Sequence, residues 1–368
     1  MKYFYWNLIL LLTFQSAFSQ IGGENSFEFL SLPASARITA MGGSYISCID
    51  RDLGLALQNP AALTPALHRY ATFGHMFYYG RVQYGQFGYA HHVPKAGTFS
   101  GSMKYIGYGS IPKTDEAGVV IGSFNPMESS VQGGYGRDIS KKYRVGANLK
   151  FAYSSIDVYQ SVGMTLDLAA AYNDTARKMS ATLLIRDIGF QFNPYVKGGR
   201  RNSMPFDIQI GFSKRFKFVP FRISVIAHNL FRWNIRYDDP NAEVDNSILL
   251  DSSQTKPKSY VFDKIARHFI IGGEFYLGKP VRLSFAYNHM HRMEHAFENR
   301  KSLAGFSFGA GLNIKQFDVS YGMQFFARGF IGHHIQITIN TAGFKKVVNQ
   351  TEPKPSKEER RKTKALGK

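Results

Sequence analysis

One cysteine, Cys48, stands among 368 residues. A single thiol closes no intramolecular disulfide and is too few for a cysteine zinc cluster, so neither device holds this fold together. Long apolar runs are missing as well. Beyond residue 20 nothing approaches the ~18 consecutive apolar residues of a spanning helix. Acidic residues are scarce: 26 Asp and Glu against 45 Lys and Arg leave a formal charge of +19. Such a balance raises the question of nucleic acid. Much of the excess, however, lies after Lys345, and the rest is scattered through strand-like stretches and turns, with no basic helix and no nucleic-acid motif. No nucleic-acid partner is expected. Anionic lipid headgroups or an acidic protein suit the charge better.

Catalytic constellations are also lacking. No Gly-rich phosphate loop precedes a helix, and no serine sits in a Gly-x-Ser-x-Gly elbow. The run His291-Arg292-Met293-Glu294-His295 matches an H-x-x-E-H zinc pattern, with His289 two residues before it. Zinc hydrolysis needs both histidines on one helical face with the glutamate as base. Here the run is expected at a strand end entering a loop, unsupported by a helix. Asp238 and Asp239 lie near Glu243 and Asp245, but without the regular spacing or loop glycine of a calcium site. No enzyme activity, cofactor or metal is expected, and no small-molecule substrate.

What is present is aromatic residue and glycine: 31 Phe, 21 Tyr and 35 Gly. This suits many strands with small residues where side chains crowd, and aromatic girdles at two water interfaces. The N-terminus reads as an export signal: Lys2, an apolar Leu8–Leu12 core, then Ala17-Phe18-Ser19 before a cut after Ser19.

Period-two alternation then recurs. Phe317, Val319, Tyr321, Met323 and Phe325 alternate with Asp318, Ser320, Gly322 and Gln324; Ile335, Ile337 and Ile339 alternate with Gln336, Thr338 and Asn340. Phe206, Ile208, Ile210 and Phe212 follow the same rule against Asp207, Gln209, Gly211 and Ser213. One face is apolar and the other polar or tiny. About fourteen such stretches are expected, beginning near Tyr70, Arg81, Thr98, Ser129, Tyr143, Ser161, Met179, Phe206, Phe221, His268, Val281, Leu303, Phe317 and His333. Their connections alternate. Short ones fall around Pro94, Lys141, Asp174, Val219, Lys279 and Gln316; the other set includes Ser110 to Glu128, Asp187 to Pro205, Asn234 to Ala266 and His289 to Lys301. Membrane barrels sort their connections this way, short on the periplasmic side and long outside. The expected fold is therefore an all-β, antiparallel transmembrane barrel spanning residues 70–343.

Residues 20–69 do not alternate. They carry turn and small residues with Phe27, Phe29, Leu30, Ile38 and Met41, and one short helix is expected near Asp52 to Gln58. This segment is expected to fill the lumen as a hatch. Residues 344–368 read as a disordered basic periplasmic tail. The long loop carrying Tyr237, Asp238, Asp239 and Pro240 is the candidate partner-binding surface.

Several runs carry a family resemblance: Gly22 to Leu30, Leu32 to Arg37, Leu57 to Ala61, Pro205 to Gln209 and Arg236 to Pro240. They resemble the PorQ/PorV family of outer-membrane barrels in the type IX secretion system of Bacteroidetes, itself similar to the fourteen-stranded FadL-like transporters with an N-terminal hatch. The resemblance covers nearly all of the chain except its tail. It implies a non-catalytic role: holding a PorZ-like surface protein at the outer membrane, in an attachment complex with a PorU sortase and a PorV shuttle that joins cargo to lipopolysaccharide. The alternative is a FadL-like conduit for a hydrophobic small molecule, disfavoured by the polar residues Asp207, Gln209, Asn313, Asp318, Gln336 and Asn340 assigned to the inward faces.

Overall fold

The computed structural model describes residues 25–235, 261–278, 280–295, 302–327 and 330–343. The expected signal (1–19), the tail (344–368) and the candidate residues Tyr237, Asp238, Asp239 and Pro240 lie outside the described residues.

Among the described residues, sixteen strands follow in chain order: β1 (Tyr70–Phe77), β2 (Gln83–Val93), β3 (Gly97–Gly107), β4 (Ile111–Thr114), β5 (Val120–Phe124), β6 (Met127–Asp138), β7 (Tyr143–Ile156) and β8 (Tyr159–Asp174). Then come β9 (Met179–Asn193), β10 (Asp207–Arg215), β11 (Phe221–Ala227), β12 (Phe269–Leu277), β13 (Val281–Asn288), β14 (Phe306–Ile314), β15 (Phe317–Ala327) and β16 (Phe330–Asn340). Fourteen of them close into one barrel in which each strand pairs antiparallel with its neighbours. The seam is β1 against β16, with Tyr70 opposite Asn340 and Phe77 opposite His333. Closure leaves no free edge. The strand starts read from the sequence fall within three residues of those observed. What periodicity missed is the separate hairpin β4–β5, inserted in the β3–β6 connection.

Burial decides which face is which. Phe87, Phe151, Leu183, Ile210, Ile271 and Ile335 are exposed on the outside, whereas Gln86, Ser102, Gln132, Gln209, Ser320 and Gln336 are buried within. A soluble sandwich places its apolar face inward. This barrel does the reverse, which is the pattern of a wall that meets lipid. The polar inner face also carries buried charge: Lys104, Arg144, Lys150, Asp167, Asp187 and Glu274. Asn313 is exposed at the short-turn end, where its side chain donates to Asp318 and lines a pocket with Arg37 and Arg282.

The two ends differ. At one, connections 94–96, 139–142, 175–178, 216–220, 278–280 and 315–316 are short. The opposite end carries 108–126, 194–206, 228–268 and 289–305. On one side of that end the wall rises, because β7, β8 and β9 run 14, 16 and 15 residues against 8 for β1 and 7 for β11.

Candidate functional site

The lumen is occupied by the chain's own N-terminal segment. Two short helices organise it: α1 (Ala36–Ala40) and α2 (Leu53–Gln58). Ser35 caps α1, its hydroxyl accepting from the Ile38 amide, and Asp52 caps α2, accepting from the Gly54 amide, as N-cap side chains do. The second helix was expected; the first was not. Leu53, Leu55, Leu57, Ile38, Met41 and Ile46 form the apolar centre of this segment and are fully buried.

Glycines on the wall make room for it. A Cβ on Gly322 of β15 would collide with the Ala36 carbonyl, and one on Gly146 of β7 with the Pro60 backbone. Similar close approaches put Ala40 on β14, Ile46 on β10, Met41 on β12, Leu57 on β2 and Phe27 on β8. The segment thus touches wall strands around the whole circumference.

Polar contacts fix its register. The Ala36 amide donates to Gln336 Oε1 at 3.0 Å, and Thr39 Oγ1 lies 2.9 Å from His334 Nδ1. Gln132 Nε2 donates to the Leu57 carbonyl, and Arg144 donates to the carbonyls of Ala61 and Leu63.

The strongest tie is ionic. Arg37 of α1 meets Glu274 of β12 bidentately, Nε to Oε1 at 2.7 Å and Nη2 to Oε2 at 2.8 Å, with both side chains buried. Tyr45 and Tyr276 hydroxyls donate to Glu274 Oε2 at 2.9 and 2.8 Å, and Arg222 stands 3.3 Å away. A paired charge whose carboxylate accepts several donors offsets its desolvation. Asp50 completes the cluster. Burial alone would raise its pKa, but Arg37 and then Arg222 hold it down to about 2. Cys48 lies in the same cluster, 2.6 Å from Arg222 Nη1, and burial pushes its thiol up. A second cluster braces the wall itself: Lys150 bridges Asp167 and Asp187, and Asp187 sits at φ 54 beside a register shift between β8 and β9.

Above the plugging segment, at the long-loop mouth, is a cavity of about 490 Å³. Met204, Phe206, Phe231, Ile235 and Phe326 give it apolar walls, and Asp207, His228 and His291 place polar atoms in it.

The H-x-x-E-H run stands at this mouth, and its conformation corrects the expectation of a loop. A short helix, His289–Glu294, carries it, capped by the Asn288 side chain. His291 Nδ1 is taken by the Gln324 amide at 2.9 Å, and His295 Nδ1 by the His291 carbonyl at 3.1 Å. No group of three or more metal-ligating side chains forms among the described residues.

Sequence reasoning missed the Arg37–Glu274 tie. Its trace was legible: Glu274 is the lone acidic or basic side chain in the apolar strand Phe269–Leu277 and takes an inward position.

No family model and no curated protein matches the chain. Solved barrels do. The toluene transporter TodX of Pseudomonas putida matches at 11% identity over 83% of this chain and 96% of that one, with a TM-score of 0.47. The CymD monoaromatic hydrocarbon channel matches at 11% identity, 85% and 97% coverage and a TM-score of 0.45. A FadL homologue of Pseudomonas aeruginosa matches at 9% identity, 83% and 97% coverage and a TM-score of 0.45. At that distance the likeness carries no argument about substrate or mechanism.

Proposed function

We propose that this chain is a non-conducting outer-membrane anchor, and that it holds a PorZ-like surface protein in a type IX secretion attachment complex with PorU- and PorV-like partners. The membrane reading rests on the apolar outer face of a closed barrel with short turns at one end and long loops at the other. The observation that carries the anchor reading is the seal. A pore needs a path, and residues 25–69 fill this lumen against strands on every side, tied by the buried Arg37–Glu274 pair. A wall that cannot conduct is left with its loops as the working surface.

Two measurements test this. The full-length chain in planar bilayers is expected to show no ion conductance. Isolated from native outer membranes through a C-terminal tag, it is expected to bring a large type IX surface protein at near-equal amounts. A barrel that emerges alone with bound lipid overturns the anchor.

The mouth cavity favours a second reading, a conduit for a hydrophobic small molecule. Its volume and apolar walls fit a ligand of modest size with a few orienting polar groups. Toluene, an apolar molecule small enough for this cavity, is a suitable first probe. Saturable uptake of labelled toluene into vesicles, abolished by Phe206→Asp, is what this reading expects.

A further inference from the structure

We infer that the short-turn rim of the barrel is an electrostatic seat for the phosphate headgroups of anionic phospholipids in the leaflet it meets; this rests on the membrane-spanning reading. Three observations carry it.

The first is an unspent charge. Acids at this end are already committed: Asp138 to Arg144, Asp174 to Lys142, Asp318 to Arg282, and Asp50 to Arg37 and Arg222. The exposed cations Lys95, Lys141, Lys178, Lys217 and Lys315 make no ion pair among the described residues. The opposite rim is mixed: there Lys113 pairs with Asp157 and Arg267 with Asp263, and Asp115, Glu116 and Glu294 stand among the exposed cations Arg81, Lys197, Arg200 and Arg201.

The second is distribution. These five lysines belong to five different turns, β2–β3, β6–β7, β8–β9, β10–β11 and β14–β15, which are spread around the circumference. A protein partner docks on one arc of a rim. A headgroup layer surrounds it, and basic residues near an anionic leaflet are attracted within about a Debye length. Exposed apolar tips stand beside the charges, Ile139 before Lys141 and Phe218 after Lys217, as suits an interface with a wet and a greasy side.

The third is conformational cost. Lys95, Lys178 and Lys315 hold φ of 68°, 53° and 55°. That left-handed region favours glycine or asparagine. Turn geometry alone therefore argues against lysine at these three places, and the charge is what lysine adds.

The last point supplies a variant that does not fail by misfolding. Lys95→Asn, Lys178→Asn and Lys315→Asn together remove three charges from turns that asparagine suits better. The full-length chain and this variant are each exposed in micelles to equal phosphatidylglycerol and phosphatidylethanolamine, and retained lipids are counted by native mass spectrometry. The unaltered chain is expected to retain the anionic lipid about fivefold over the zwitterionic one. The variant is expected to lose most of that preference while its heat-unfolding midpoint holds or rises. Equal retention by the unaltered chain overturns the inference and leaves the ring to an acidic protein; an unchanged preference in the variant overturns it too. Carbonate-resistant insertion into liposomes separates the two levels. Insertion without lipid preference sinks only the inference, and failure to insert sinks the membrane reading with it.

Discussion

At the scale of residues, one guanidinium ties the lumen segment to β12. Arg37→Ala leaves Glu274 buried without its bidentate partner, a loss of about 3–5 kcal/mol for a broken buried pair. Arg37→Lys keeps the charge but not the fork, so it is expected to fall between the two. Cys48, buried in the same cluster, reports on this directly. It is expected to resist a water-soluble maleimide in the unaltered chain and to label within minutes in Arg37→Ala, with channel openings in bilayers. Equal labelling in both would remove the ion cluster from any role in the seal. Acid gives a second handle. Asp50 is held at about 2 against an ordinary value of 3.8, so its contribution is complete above that ordinary value and is lost as pH falls through 2. A thiol reagent active in acid, such as dithiodipyridine, is expected to find Cys48 protected at pH 4 and increasingly open toward pH 2. Size matters as much as charge here. Gly322→Val drives a side chain into the Ala36 carbonyl and is expected to cost about 1–3 kcal/mol, read as a lower heat-unfolding midpoint.

Elements separate into those the barrel needs and those it carries. The hairpin β4–β5 is exposed on both strands and pairs with no barrel strand. Removing residues 111–124 and joining the ends is expected to leave heat-modifiable migration on gels unchanged. The histidine helix at the mouth is different, because it packs into the cavity wall. Burial, and then His295, draw His291 down to about 4 from 6.5. The unfolded chain binds this proton more readily, so stability falls as pH drops from 6.5 through 4. His291→Gln is expected to flatten the unfolding midpoint over that window. The barrel strands were legible because each obeys one period over seven residues or more and the turns punctuate them. The mouth helix was not: six residues hold too little periodicity, and what fixes them is the Asn288 cap and the Gln324 bond from β15, two strands away. The hairpin escaped for a related reason, since Ile111-Pro-Lys-Thr and Val-Ile-Gly-Ser-Phe are too short to alternate convincingly. The lumen segment was legible as something packed, from its apolar residues, but its partners lie up to 300 residues away and no local pattern names them.

The molecule as a whole combines an apolar waist, a mouth of mixed charge and a basic opposite rim. If the anchor reading holds, Arg37→Ala will leak ions while still retaining its surface partner, because the loops and the lumen segment are separate parts. A conduit predicts the opposite coupling, in which loosening the seal changes uptake of the hydrophobic probe.

The seam also sets an order of assembly. Tyr70 pairs with Asn340, so the ring cannot close until the last strand has been delivered. Ala36 and Ala40 rest on β14, β15 and β16, the three strands that arrive last. The N-terminal part of the barrel's own plug must therefore wait for the last strands before it is seated. A chain that lost its C-terminal strands would lose its stopper along with its wall, leaving an open sheet with exposed edges for quality-control proteases rather than an unguarded hole in the membrane.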